Sequence, residues 1–170
     1  MNSTPPIEIR PLVETDIETV GQLAREIWRA HYAAIISGPQ IEYMLDERYA
    51  PQVLRAELER PGLWWDLLAV DGVCKAFSSY FPSGHAGEMK LDKLYVHPDS
   101  QRHGYGGRLI ERACGVARSQ GCSRLVLAVN KRNAHAIAAY HKHGFAIEQA
   151  VVKDIGGGFV MDDYIMVRTP

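Results

Sequence analysis

A glycine-rich loop between a strand-like run and a helix-like run most constrains what this chain can fold into. The loop reads Gln101-Arg102-His103-Gly104-Tyr105-Gly106-Gly107. Its glycines leave no side chains to hold a ligand away from the backbone, and the helix that follows begins with N–H groups that lack intrahelical partners. With the positive end of the helix dipole and the charge of Arg102, this arrangement predicts a cradle for an anion, most naturally a phosphate or pyrophosphate.

The residues around the loop argue against two familiar phosphate-binding motifs. No Gly-Lys-Ser/Thr triplet follows Gly106, so the loop is not a Walker motif. The glycine spacing departs from G-x-G-x-x-G, and Asn130 rather than an acidic residue follows the next strand-like run, which disfavours a dinucleotide-binding fold. On the loop alone, an ordinary glycine-rich turn stays open as an alternative.

The chain downstream of the loop predicts one strand and one helix. Residues Arg124 to Asn130 are nearly all apolar and include β-branched valines, as in a buried parallel strand. Asn133 suits a helix N-cap, the alanine-rich run after it favours a helix, and Gly144 suits the left-handed residue that follows a helix.

Two motifs in this order resemble the GNAT N-acetyltransferase superfamily. The first is Gln-x-x-Gly-x-Gly after a strand that ends in Leu-Tyr-Val-x-Pro, which is similar to the acyl-CoA loop of that family. The second is Asn-x-x-Ala-x-x-x-Tyr-x-x-x-Gly-Phe, from Asn133 to Phe145. The resemblance covers about residues 88 to 150, the cofactor half, and predicts a single N-acetyltransferase domain over residues 1–170.

Composition agrees with a small enzyme. A chain of 170 residues can bury a core, and a net charge of −1 from 19 basic and 20 acidic residues gives no basis for binding nucleic acid or an anionic membrane. The N-terminus lacks the basic and apolar stretches of a signal peptide, and no run is long enough to span a membrane. Three cysteines without a CxxC pair predict reduced thiols in a cytoplasmic protein. Whether the chain works as a homodimer is left open.

Hydrophobic periodicity and turn residues predict an α/β fold with a mixed, mostly antiparallel central sheet flanked by helices. The element order is β-α-α(-α)-β-β-β-α-β-α-β-β, and the resemblance implies the same GNAT-like order. Thr15-x-x-Glu18 predicts a capping box before the first helix, and Asp71-Gly72 predicts a two-residue hairpin turn. Further helices are predicted over Ile41 to Leu45, from Pro51 to before Pro61, and over Arg108 to Gln120. The other predicted strands are Ile7 to Arg10, Trp64 to Val70, Val73 to Phe81, Met89 to Val96, Phe145 to Asp154 and Phe159 to Arg168.

The resemblance implies acetyl-CoA as cofactor. It assigns the pyrophosphate to the loop from Gln101 to Gly107 and assigns backbone pairing with pantetheine to Leu94, Tyr95 and Val96. Asn133 would bind pantetheine or an active-site water.

The resemblance also implies a general acid, whereas the base stays open. Tyr140 matches the family tyrosine that protonates the leaving thiolate, a task that suits a phenol with a pKa of about 10. A tyrosine packed in the core is the alternative. Branches of the family carry a glutamate where this chain has Lys90 or Ala128, so the base is not simply carried over. Asp92, Glu88 and a relayed water are the substitutes.

The acceptor site is expected in the first half of the chain. Trp28, His31 and Tyr32 form an aromatic run that suits a cationic amine, although Trp28 also completes the apolar face of its helix. Four carboxylates add negative potential near it: Asp46, Glu47, Asp162 and Asp163.

Other chemistries are disfavoured by geometry. His141 and His143 are two apart on a helix and face different directions, so no metal site is expected. Cys114 has no basic partner in the sequence and is a poor nucleophile candidate.

Two classes of function remain. One is an N-acetyltransferase that acts by direct attack in a ternary complex on a small-molecule amine (polyamine-like or drug-like) or on a protein amine. The other is a non-catalytic acyl-CoA sensor. The presence of both Tyr140 and Asn133 favours the enzyme, because a binder needs only the glycine loop.

Overall fold

The computed structural model describes residues 4–170, and the contacts divide the chain into two compact units. Of the described residues, the first unit contains 4–80 and the segment Lys93–Ile110. The second contains Phe81–Asp92 and Glu111–Pro170. The single domain over 1–170 stays a prediction, and so does the absence of a signal peptide, which rests partly on residues 1–3, outside the described part.

Within residues 4–170, seven strands and five α-helices follow one another in the predicted order. The strands are β1 (Ile7–Pro11), β2 (Trp64–Val70), β3 (Val73–Pro82), β4 (Glu88–Val96), β5 (Arg124–Asn130), β6 (Ala146–Gly156) and β7 (Phe159–Arg168). The helices are α1 (Ile17–His31), α2 (Gly38–Tyr49), α3 (Pro51–Glu59), α4 (Tyr105–Ser119) and α5 (Ala134–Lys142).

The strands form one sheet in the order β1-β2-β3-β4-β5-β7-β6. Strand β4 pairs with β5 in parallel, whereas β1 with β2, β2 with β3, β5 with β7 and β6 with β7 pair antiparallel. The predicted α/β class with a mixed, mostly antiparallel sheet is therefore confirmed. Strand β4 contributes to both units, since its first five residues belong to the second unit and its last four to the first.

In the first unit, the apolar face of α1 packs into an aromatic core. Trp28 is 1% exposed, and its ring lies 6.0 Å from that of Tyr49, which in turn lies 5.8 Å from Phe77 of β3. The turn between β2 and β3 holds Asp71 and Gly72 at φ values of 51° and 78°, so the predicted two-residue hairpin is confirmed.

Three helix predictions need correction. The capping box at Thr15 is wrong, because a 3-10 turn over Glu14–Asp16 precedes α1 and Asp16 accepts the backbone N–H of Val13. The second helix is longer than predicted, because Ser37 caps it and a proline stands in its first turn. Helix α4 begins at Tyr105, inside the predicted loop, so two of the loop glycines belong to its first turn.

In the second unit, β5 lies between β4 and β7, and side chains on one face of β5 and β7 are buried. Leu125 of β5 and Met166 of β7 are completely buried on that face. Arg168, on the same face, donates to Glu111 of α4 and to the carbonyl of His143 just after α5. Within residues 4–170, no helix is both long and apolar enough to cross a membrane.

Candidate functional site

The glycine loop in the first unit has backbone conformations that only a few residue types adopt readily. Gly104 has φ of 77°, which favours glycine, and Arg102 has φ of 65°, which is unusual for a residue with a side chain. Residues with side chains at positive φ, such as Arg102, occur in tight turns and also cluster at ligand-binding loops. The His103 ring is tied to the loop carbonyl of Gln101 at 2.8 Å and stacks on Tyr105.

The loop and the start of α4 fit a polyanion. The amide of Arg108 donates to the carbonyl of Gly104 at 3.1 Å, which makes Gly104 the residue that opens the helix. In any α-helix, the amides before that bond have no carbonyl one turn earlier to reach. An added Cβ at Gly106 would stand 3.7 Å from Val96 Cγ2, so a side chain there would occupy space beside the end of β4. The donors are backbone amides near a basic side chain, as a pyrophosphate requires.

The end of β4 is fixed on both of its faces within the first unit. Leu94 and Val96 pack against a buried cluster that includes Tyr105 and Leu109 of α4. Tyr95 points the other way, where its hydroxyl lies 3.2 Å from that of Tyr32. Burial raises the pKa of Tyr95 well above its ordinary value, so its phenol stays neutral. The contacts of these three side chains thus hold in place the backbone of Leu94, Tyr95 and Val96, which the resemblance assigns to pairing with pantetheine.

In the second unit, the parallel ladder between β4 and β5 runs from Glu88 opposite Arg124 to Lys90 opposite Val126. Within this unit, both strands continue beyond the last pair of this ladder, β4 to Asp92 and β5 to Asn130. Beyond the last pair, the backbone N–H and C=O groups of the two strands do not pair with each other. They can therefore hydrogen-bond to another extended segment, which the resemblance implies is pantetheine.

Asn133 and Tyr140 lie on α5, also in the second unit. Asn133 is 5% exposed, and its side-chain oxygen accepts the amide of Ala136, which confirms the predicted N-cap. Gly144 has φ of 86° and follows the helix as predicted. Tyr140 is half-buried, and its ring meets Phe145 edge-on at 5.7 Å. Its role as general acid stays a prediction.

The two tentative bases differ in what surrounds them. Glu88 accepts hydrogen bonds from the Ser83 hydroxyl at 2.7 Å and from Arg124 at 3.0 Å. Partial burial raises the pKa of Glu88, but these hydrogen bonds outweigh it and hold the pKa below its usual range. Glu88 is therefore a poor proton acceptor. Asp92 is 11% exposed and lies 3.5 Å from Lys90 Nζ, so it keeps a cation beside it.

The predicted aromatic run at the end of α1 belongs largely to the core. The ring of Trp28 lies 4.4 Å from that of Tyr32 and 5.6 Å from that of Tyr95. Because these neighbours cover Trp28, its ring faces are not open to a cation, and its packing role is the one that the structure supports. His31 is half-buried and meets Tyr32 edge-on at 5.0 Å.

The four predicted carboxylates have different environments. Asp46 and Glu47 are exposed on α2, and Asp162 is exposed and paired with Lys131. Asp163, in contrast, is 8% exposed. From sequence, Asp163 was expected to have no more than a general electrostatic effect, because an Asp-Asp pair in a strand has no signal that tells which member is buried.

Metal and thiol chemistry find no support in the described residues. No group of three or more His, Cys, Asp or Glu side chains within residues 4–170 is placed to hold a metal ion. Burial raises the pKa of Cys74 to about 11 and also raises that of Cys114, so these two thiols stay protonated at neutral pH.

Three features agree with the α/β acyltransferase class that the two motifs predict. They are the glycine loop before α4, the short parallel ladder between β4 and β5, and the N-cap of α5 at Asn133. The model of the acetyltransferase (GNAT) family matches residues 21–145, and the chain belongs to this family. It is 29% identical to a spermidine N(1)-acetyltransferase of Thermoplasma acidophilum over 92% of this chain and 96% of that protein. It is 28% identical to a probable N-acetyltransferase of Mycobacterium tuberculosis over 84% of this chain and 81% of that protein. The crystal structure of PaiA N-acetyltransferase from Thermoplasma acidophilum in complex with coenzyme A is similar in fold, with a TM-score of 0.83, 28% identity, and coverage of 97% and 99%.

Proposed function

We propose that this enzyme transfers the acetyl group of acetyl-CoA to a primary amine of a small, polyamine-like molecule. The observation that carries the proposal is the match, over nearly the full length of both chains, to a spermidine N(1)-acetyltransferase. The complex of a similar structure with coenzyme A supports the cofactor.

The loop from Gln101 to Gly107 would receive the pyrophosphate. Its helix amides and the charge of Arg102 supply the donors, and the glycines at 104 and 106 let the phosphate oxygens approach the backbone. The main chain of Leu94, Tyr95 and Val96 would pair with the pantetheine arm. When bound, acetyl-CoA supplies an activated thioester, and the residues of this chain position it and move the protons.

Tyr140 would act as the acid at the leaving sulfur. Its phenol can donate a proton to a thiolate that would otherwise leave as an anion. Asn133 uses its side-chain oxygen to cap α5, so its amide nitrogen is the group that remains for pantetheine or water. Direct attack by the amine agrees with the thiols of Cys74 and Cys114, since both have raised pKa values and neither suits an acetyl-enzyme intermediate.

Two alternatives are distinguishable by experiment. A protein or peptide amine would replace the small molecule if the acceptor were a chain terminus or a lysine. A non-catalytic acyl-CoA sensor would bind the cofactor without turnover, but the matched relatives are named as N-acetyltransferases, which favours the enzyme.

The test is a thiol-release assay with acetyl-CoA and a panel of amines. The panel contains spermidine, spermine, putrescine, an aminoglycoside and a peptide with a free N-terminus and a lysine. We expect turnover with polyamines to exceed turnover with the peptide. Preference for the peptide would favour a protein acceptor. If coenzyme A stabilises the protein against heat but no amine releases thiol, the sensor is favoured.

A further inference from the structure

One face of the sheet in the second unit has an opening in its centre. Ala128 lies in the middle of β5, between two other strands of the sheet, and is nevertheless exposed. The ladder to β4 ends at Val126, two residues before Ala128 on the same face. An exposed alanine in a central strand marks a place where a small molecule can reach the sheet, and its short side chain leaves room there.

Asp163 lies on the same face as this opening. Residues directly opposite in an antiparallel pair point to the same side, so Asn130 and Asp163 share a face, as do Ala128 and Ile165. Because the side chains of a strand alternate, Ala128 and Asn130 also share that face. Asp163 is therefore a diagonal neighbour of Ala128, at a range that long side chains and ligands bridge.

The carboxyl group of Asp163 is buried and incompletely satisfied. Asp163 is 8% exposed, and its Oδ1 has no hydrogen-bond partner among residues 4–170. A buried acceptor without a donor costs free energy of folding, and a ligand that donates a hydrogen bond there would recover that cost. Its neighbour Asp162 differs in both respects, since it is exposed and paired with Lys131.

The charges around Asp163 come from several elements. Burial raises its pKa and Asp162 raises it further, whereas Lys153 of β6, Lys90 of β4 and Lys131 after β5 oppose the rise. The pKa lies above its usual value on balance. A carboxylate with a raised pKa is a better proton acceptor than one held by an arginine, as Glu88 is.

We propose that Asp163 binds the ammonium group of the acceptor at the opening beside Ala128 and takes a proton from it. This inference rests on the proposed small-molecule function. The alkylammonium gives one proton to Asp163, which becomes a neutral carboxylic acid, and the free amine attacks the thioester carbon. A carbon–nitrogen bond forms, the carbon–sulfur bond breaks, and the sulfur takes the electron pair. The Tyr140 phenol protonates the sulfur, a second nitrogen proton restores the phenol, and Asp163 releases its proton to water.

Asp163 fits this role better than the two carboxylates that the sequence suggested. Glu88 is held by Ser83 and Arg124, and Asp92 has Lys90 beside it. Each of those two has a hydrogen-bond donor or an ion pair with a lysine, whereas the Oδ1 of Asp163 has no hydrogen-bond donor among the described residues.

The experiment compares Asp163→Asn with Asp162→Asn, which removes the same charge one residue away on the opposite face. Initial rates with spermidine at saturating acetyl-CoA are measured across pH. For Asp163→Asn we expect kcat/KM for spermidine to fall about one hundred-fold or more, together with a higher KM for spermidine. In the plot of rate against pH, the loss of activity on the acidic side should begin at a higher pH than in the parent. Asp162→Asn should give a small change that added salt removes. Stabilisation by coenzyme A should be retained in both variants.

The melting temperature of Asp163→Asn gives a second readout, because losing a carboxylate that stabilised the fold would lower it. The folded-state pKa of Asp163 is raised, so its ionisation costs folding free energy once the pH passes the unfolded-state pKa. Asp163→Asn should therefore melt at a higher temperature than the parent at neutral pH. This difference should vanish at acidic pH, where the carboxyl is protonated in both states.

The outcomes separate this inference from the proposed function. If the parent turns over spermidine and Asp163→Asn does so with the same kcat/KM and pH profile, Asp163 is not the acceptor carboxylate. Asp163 is likewise excluded from this role if Asp92→Asn alone reproduces the expected loss, or if both Asp163→Asn and Asp163→Ser fail to fold. If the parent acetylates no amine, the proposed function fails instead.

Discussion

Lys93 is a charged side chain buried in the first unit, and its pairing predicts an unequal response to mutation. Its side chain is 2% exposed, and its Nζ lies 3.2 and 3.3 Å from the two carboxylate oxygens of Glu57. Glu57 also accepts the indole N–H of Trp65 at 2.7 Å, and Nζ lies over the rings of Trp65 and Tyr49. Glu57, in contrast, is 20% exposed and can be partly hydrated.

Removing one partner of a buried ion pair costs about 3–5 kcal/mol. Glu57→Gln leaves the ammonium in its buried site and should reach that range, a fall in Tm of roughly 6–20 °C for a protein of this size. Lys93→Met leaves a carboxylate that water reaches, so about 1–3 kcal/mol is expected. The double variant should be more stable than Glu57→Gln alone, because a neutral pair of similar volume carries no buried charge.

The assay is urea unfolding followed by tryptophan fluorescence and circular dichroism, with the four proteins in one double-mutant cycle. Additive losses in the double variant would refute the reasoning, because the pair would then not be coupled. A loss below about 1 kcal/mol for Glu57→Gln would refute it as well, since it would mean that Lys93 is hydrated in the folded protein.

Three further predictions concern the site and the core. Gly106→Val should fold, since the added Cβ meets Val96 at an ordinary contact distance, but coenzyme A should no longer raise its Tm; retained stabilisation would argue against the loop as the pyrophosphate site. Tyr140→Phe should lower kcat about one hundred-fold with little change in coenzyme A affinity, and normal turnover would leave Tyr140 a packing role. Trp28→Ala should lower the free energy of unfolding by about 3–5 kcal/mol in urea; a folded variant of unchanged stability and a raised acceptor KM would restore the acceptor role.

The bounds of helices and strands were predictable where hydrophobic pattern and turn residues agree with the burial found in the structure. The predicted bounds of β5 and β7 match the structure, because the apolar run of β5 is buried and because the triple glycine before Phe159 marks the turn. The capping of α1 was mispredicted, since a 3-10 turn precedes the helix and Asp16, rather than Thr15, accepts a backbone N–H there, that of Val13. Local pattern favours a cap but does not tell which of several polar residues will supply it.

The cofactor loop was easier to predict than the acceptor residues. Glycines, a strand and a helix start within a dozen residues, so their arrangement follows from local sequence. The burial of Asp163 depends instead on the pairing of β7 with β5, which places Asn130 opposite Asp163 from a separate part of the chain. Trp28 shows the opposite error, because an aromatic residue at the end of an amphipathic helix has the same pattern whether it packs inward or lines a site.

The most direct test of the proposed activity is to identify the product of a reaction that contains only the protein, acetyl-CoA and spermidine. Mass spectrometry should show one acetyl group on a primary amine for each thiol released, and fragmentation should place it on a terminal nitrogen. The protein itself should remain unacetylated, as direct transfer requires. Thiol release without acetylated polyamine, or an acetyl group retained on a cysteine of the enzyme, would contradict the proposal.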